Sequence, residues 1–169
     1  MVDRVANALS TVADTVLLIS NSPDAPRWLS RVTTVGDRRA ERGSLVGIHS
    51  ALTHARAPVL VVAWDMPFVS PPLLRLISER GKSAAFAAVP HGLAGPEPFC
   101  AVYTLACVAY IEAALDEGDL RLSALLQRLP HVDEIDLDEV SEAGDPDRLF
   151  LNVNDLADLA VAERLAAGV

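Results

Sequence analysis

Apolar residues in this chain follow two rhythms, one helical and one in short uninterrupted runs, and their alternation lays out the elements. Val5, Leu9 and Val12 recur at helical spacing, and Val16 to Ile19 is a compact apolar run closed by Asn21, Ser22 and Pro23. That order predicts helix, strand, turn. Arg31 to Val35 predicts a second short strand, Gly36 to Gly43 a polar loop, and Ser44 to Ala55 a helix with Leu45, Ile48 and Leu52 on one face. Val59 to Val62 is too short for a helix and too uniformly apolar for a half-exposed strand, so it predicts a parallel strand buried on both faces. Beyond it, Leu73 to Ile77 is helical, Ala84 to Val89 strand-like, and His91 to Pro98 a Gly/Pro loop entering a strand at Phe99 to Tyr103. Helices at Leu105 to Leu115 and Leu120 to Leu129 flank the break Glu117, Gly118, Asp119. Val132 to Leu137 alternates acidic with apolar residues as an edge strand does. Asp138 to Asp147 predicts an exposed acidic loop, Phe150, Leu151 and Val153 a short strand, and Asp155 the cap of a closing helix that runs to Leu165.

This alternation predicts an α/β protein with a mostly parallel sheet, helices on both faces, and room for one antiparallel strand. In such sheets ligands bind beyond the carboxyl ends of the strands. Asn21, Asp37, Asp65, Asn152 and Asn154 lie at the ends of predicted strands and, if the strands are parallel, would line one edge. Asp65 stands out, because its strand runs straight into WDMPF and then Pro71 and Pro72. A carboxylate there can hold Mg²⁺ and the phosphates it neutralises, or can simply cap a turn.

Composition narrows the functional classes. A chain of 169 residues, 51% of them apolar, can bury one good core and is expected to form a single domain over 1–169. A net charge of −9 argues against nonspecific binding to nucleic acid or an anionic membrane, which draws on clustered cations. The short basic cluster of Arg38, Arg39 and Arg42, interrupted by Glu41, could meet a small phosphorylated ligand or be a solvated loop. No apolar run has membrane-spanning length, and Asp3 and Arg4 interrupt any signal-like start, so a cytoplasmic protein is expected. Cys100 and Cys107 lack metal-ligand spacing and are expected as buried free thiols. His49 and His54 face different parts of their helix, His91 and His131 are isolated, and none receives a role. Ser44 and Ser50 carry no cue for a base partner.

Five segments in order resemble the molybdenum cofactor guanylyltransferases, the MobA family of nucleotidyltransferases. GSLVGIHSAL at Gly43 to Leu52 resembles the family's GPLAG helix start, VVAWDMPFVSPPLL its CDMPF segment, and PEPFCAVY its PxPxxALY strand. LSALLQRL at Leu122 to Leu129 and FLNVNDLADL, similar to FLNVNTPEDL, complete the set. The resemblance implies a three-layer Rossmann-like nucleotidyltransferase fold and transfer of GMP from GTP to the phosphate of molybdopterin, with release of pyrophosphate. It implies Asp65 as the Mg²⁺-holding catalytic residue, Asn21, Asp37, Gly43 and Asp65 as nucleotide contacts, and Asn152 and Asn154 toward the pterin substrate. Trp64 departs from the small or cysteine residue common before that aspartate, and would either pack in the core or narrow the pocket.

The family's first strand and its glycine-rich loop, LAGGxSxRMGxDK, have no counterpart here. That loop supplies backbone N–H groups and a lysine for the triphosphate. Lys82, the only lysine, lies in a Gly-Lys-Ser turn before a strand and is no substitute. In the family the missing strand lies between those represented here by Val16 to Ile19 and Val59 to Ala63. Its absence would leave ladder groups unpaired, at about 1 to 3 kcal/mol for each buried orphan. Three readings stay open: a guanylyltransferase continuing upstream, a noncatalytic binding or partner module, or a sister enzyme using CTP or sugar phosphates. These 169 residues alone are expected to bind GTP poorly and turn it over slowly. The gap in the sheet could be filled by another chain, which would make dimerisation a structural need, and a homo-oligomer or a partner in molybdoenzyme maturation stays open.

Overall fold

The computed structural model describes residues 1–167. Its elements run in the order α1 (Val2–Leu9), β1 (Leu17–Ile19), α2 (Ala25–Trp28), β2 (Thr33–Val35), α3 (Ser44–Ala55), β3 (Val59–Val62), α4 (Pro71–Gly81) and β4 (Ala87–Gly92). They continue with β5 (Gly95–Pro96), β6 (Cys100–Tyr103), α5 (Val108–Asp116), α6 (Leu122–Arg128), β7 (Val132–Ile135), α7 (Leu137–Ala143), α8 (Pro146–Leu149) and α9 (Leu156–Ala167).

The ladders bear out the α/β class. β6 lies antiparallel between β3 and β4, and β7 pairs parallel to β4, so β3, β4 and β7 point one way and β6 the other. β1 and β2 pair in parallel as a separate ribbon, and β4 and β5 close a short hairpin. The period of two along the strands separates the layers. Ala87, Val89, Ala101 and Tyr103 pack with Leu45, Leu52, Ile111 and Leu125 from α3, α5 and α6. Ala88, Cys100 and Val102 instead meet Leu73, Leu74, Ile77 and Val140 from α4 and α7. Helices therefore cover both faces. Tyr103, the largest fully buried side chain, satisfies its hydroxyl by donating to the Pro98 carbonyl at 2.8 Å.

Local chemistry sets the boundaries. Ser70 caps α4 by accepting from the Leu73 N–H, with Pro71 and Pro72 at the start, where no amide donor is missed. The segment 138–147 is not the predicted loop. Asp136 accepts from the Glu139 N–H at 2.9 Å, while the Glu139 carboxylate accepts from the Asp136 N–H at 3.3 Å, and this capping box starts α7. Phe150, Leu151 and Val153 form no strand, because the Val153 N–H is bonded to the Asp65 carbonyl at 2.9 Å rather than to a ladder. Asp155 does cap the closing helix, accepting from the Ala157 and Asp158 N–H groups. Among the described residues no helix is long and apolar enough to cross a membrane.

β3 differs from its expectation. Its four residues are half-buried rather than enclosed on both faces, and its ladder partner is the antiparallel β6. Among the described residues β3 pairs only with β6 and β1 only with β2, which leaves one edge of each without a ladder. Both strands pack on α3 and line the same cavity, of about 1090 Å³.

Candidate functional site

Asp65 lies where β3 gives way to a tight turn. Ala63 donates its N–H to the Phe99 carbonyl at 2.8 Å, and the Met66 N–H bonds back to the Ala63 carbonyl at 3.3 Å, so Trp64 and Asp65 occupy the corner. Met66 behind them is fully buried and anchors the turn. The Asp65 Oδ1 atom is buried with no hydrogen-bond partner, an expensive state for a carboxylate oxygen. A turn-capping aspartate would spend that oxygen on a backbone amide. The orphaned oxygen therefore disfavours the turn-cap alternative and leaves Asp65 able to ligate a cation.

The cavity collects residues far apart in sequence. Asp65, Trp64, Asn152, Asn154 and Phe99 line it together with Ser44 and Gly47 from the first turn of α3. The Val153 N–H bond to Asp65 sets the two asparagines on either side of a buried valine beside the aspartate. Asn152 donates weakly to the Phe150 carbonyl at 3.4 Å, and Asn154 places its backbone N–H on the Asp158 carboxylate at 2.9 Å. Neither side chain is locked by a short bond.

Asn21 and Asp37 form a second group at the ends of β1 and β2. The Asn21 Nδ2 donates to Asp37 at 2.6 Å, and the Asp37 N–H donates to Asn21 Oδ1 at 2.8 Å. Both lie outside the lining of the cavity, although Ile19 at the end of β1 is part of it. Gly43 precedes α3 with φ +144°, in a region open to glycine, and its carbonyl accepts from the Val46 and Gly47 N–H groups. The structure thus brings Asp65, Asn152 and Asn154 together and keeps Asn21, Asp37 and Gly43 at the neighbouring strand and helix ends.

The basic cluster is partly committed. Arg39 bonds Glu41 and Asp116, each at 2.7 Å, and its guanidinium holds the Glu41 carboxyl below its ordinary range. His49 and His54 go to separate partners, Glu112 for the first and the Gly36 carbonyl and Arg38 for the second. Cys100 and Cys107 are buried free thiols, and burial pushes Cys107 up to about 11. Among the described residues no three His, Cys, Asp or Glu side chains cluster as a ready metal cage. Phe99 is the lining residue the sequence does not announce, since its apolar character is what any strand start would show. Phe68, in the same segment as Asp65, lies in a second cavity of about 610 Å³, with Arg4 and Arg148 at 5.5 and 5.0 Å from its ring centre.

Residues 1–133 match the MobA-like NTP transferase domain. The chain is 33% identical to the molybdenum cofactor guanylyltransferase of Desulfosudis oleivorans, over 96% of this chain and 80% of that protein. It is 34% identical to the probable molybdenum cofactor guanylyltransferase of Pelotomaculum thermopropionicum, over 98% of this chain and 80% of the relative. In structure it is similar to the molybdopterin-guanine dinucleotide biosynthesis protein A of Archaeoglobus fulgidus, with a TM-score of 0.83 and 26% identity, over 98% of this chain and 86% of that one.

Proposed function

This chain belongs to the MobA-like NTP transferase family, whose members are nucleotidyltransferases, and from that premise we propose that it transfers GMP from GTP to the terminal phosphate of molybdopterin. In that reaction an oxygen of the acceptor phosphate bonds to the α-phosphorus of GTP. The bond from that phosphorus to the β-phosphate oxygen breaks, and pyrophosphate leaves with the electron pair. Little covalent help is needed: the phosphates must be screened and the two reactants held in line.

The observation that carries the proposal is Asp65, which lines the cavity and keeps its Oδ1 buried without a hydrogen-bond partner. One carboxylate with few protein neighbours fits Mg²⁺, which keeps several waters and takes further oxygens from substrate phosphates. Bound there, Mg²⁺ would neutralise charge on the triphosphate. Asp65 would hold it, and Asn152 and Asn154, flanking Val153, would address the pterin substrate. Asn21 and Asp37, with Gly43 at the start of α3, would meet the guanine nucleotide. A cytoplasmic setting suits a reaction between two small, polar substrates.

The test is pyrophosphate release from GTP in the presence of molybdopterin and Mg²⁺, run on this chain and on one extended through the reading frame upstream, with CTP in parallel. Asp65-dependent GMP transfer by either protein is the expected result. Preference for CTP would overturn the guanylyl assignment, and no transfer by either protein would overturn the reading as a whole.

A further inference from the structure

Trp64 is an indole in an unusual position. It stands on the turn that carries Asp65, is 58% exposed, and belongs to neither hydrophobic cluster. The turn beneath it is pinned by the Ala63 bond to Phe99, the Met66 bond to Ala63 and the Val153 bond to the Asp65 carbonyl. The backbone from which the indole projects is therefore fixed while over half of the residue stays in water, and folding gains little from it. Trp64 lines the same cavity as the aspartate one residue away.

We infer that Trp64 is the stacking platform for a flat bicyclic ring carrying a 2-amino-4-oxo-pyrimidine edge, while Asp65 beside it serves the phosphate end of the same substrate. Guanine and pterin share that ring chemistry. The inference rests on the proposed guanylyl transfer for the choice between them. Stacking on an indole is tolerant of hydrogen-bond pattern, and a pinned turn fixes the point from which the indole reaches the cavity. Phe99 lines the same cavity but is partly buried against both clusters, so its ring is less available.

The chain has a built-in control, because its other tryptophan, Trp28 on α2, does not line the cavity. In a Trp28→Phe background, fluorescence then reports Trp64 alone. GTP and free pterin are titrated separately with Mg²⁺, and N-acetyltryptophanamide corrects for absorption and collisional quenching. Saturable quenching beyond the correction is expected. Trp64→Ala should weaken binding of the quenching ring, followed by calorimetry or equilibrium dialysis, about tenfold with an unchanged melting curve. Trp64→Phe should restore most of the loss. Quenching by GTP places the base on Trp64, and quenching by pterin places the acceptor there. No saturable quenching by either ligand, or unaltered affinity in Trp64→Ala, overturns the platform. Calorimetric GTP binding with no quenching by either ligand would sink the platform and leave the guanylyl reading standing. Pterin quenching without GMP transfer would do the reverse.

Discussion

Asn21 and Asp37 hold each other twice, side chain to side chain at 2.6 Å and backbone N–H to amide oxygen at 2.8 Å, and so tie together the ends of the parallel strands β1 and β2. The pairing uses the asparagine amide as donor and acceptor at once. Asn21→Asp removes the donor and sets two carboxylates against each other. We expect a loss of about 1 kcal/mol in denaturant unfolding, modest because Asn21 is exposed, and a clear weakening of GTP binding in calorimetry. Unaltered GTP binding would remove the pair from the nucleotide site.

Asp65 predicts opposite effects on activity and stability. Asp65→Ala deletes the proposed metal ligand, so GMP transfer should fall by about a hundredfold or more. It also deletes the buried oxygen that has no partner, so the melting temperature should hold or rise, by up to about 1 kcal/mol in unfolding free energy. A variant that unfolds more easily would mean that Asp65 serves the fold.

Glu97 gives a pH dependence. Burial pushes its carboxyl above the ordinary value of 4.5, so between those two values the native state holds a proton that the unfolded chain has released. The stability that Glu97 contributes is therefore full below about pH 4.5 and declines as pH rises through the raised value. Glu97→Gln should cancel that decline, and its melting temperature should gain on the parent's across this window. A constant difference between the two proteins would show that Glu97 does not titrate in it.

Two glycines predict opposite signs for the same substitution. A Cβ on Gly81, at the end of α4, would lie 2.6 to 2.7 Å from three carbon atoms of Val102 in β6, so Gly81→Ala should cost about 1 to 3 kcal/mol. A Cβ on Gly47, inside α3, meets nothing within 4 Å, and Gly47→Ala should add about 0.5 to 1 kcal/mol of helix stability. Urea unfolding of both variants checks the pair.

How far the sequence could be read depended on which force decided each segment. The run from Val59 to Asp65 is legible because a strand, a corner and two prolines leave little choice of conformation. The half-burial of that strand is not, since apolar residues look alike whether a neighbour covers their edge or a cavity does. At 138–147 the density of acid predicts a loop, yet Asp136 and Glu139 carry a capping-box spacing, and that local signal prevails. The apolar run at Phe150 to Val153 predicts a strand and fails because Val153 commits its amide to Asp65. For the site, Asp65 follows from strand-end logic. Strand-end logic also brings Asn152 and Asn154 to that edge, but their residue types suit a helix cap equally well, and only the resemblance favours the site. Trp64 is visible as an oddity in the sequence, but its exposure is a property of the turn.

The unladdered edges of β1 and β3 divide the protein's amides into two populations. Along the middle of the sheet, at Ala87 and Ala88, a proton can be replaced by deuterium only after strands separate. Leu17 to Ile19 and Val59 to Val62 have no ladder on the side away from β2 and β6 among the described residues, and they line a cavity large enough to admit water. Deuterium should enter there first. Anything that settles into the cavity, whether a nucleotide or a length of polypeptide, will register as slowed labelling of those edges before it changes the protein's overall shape.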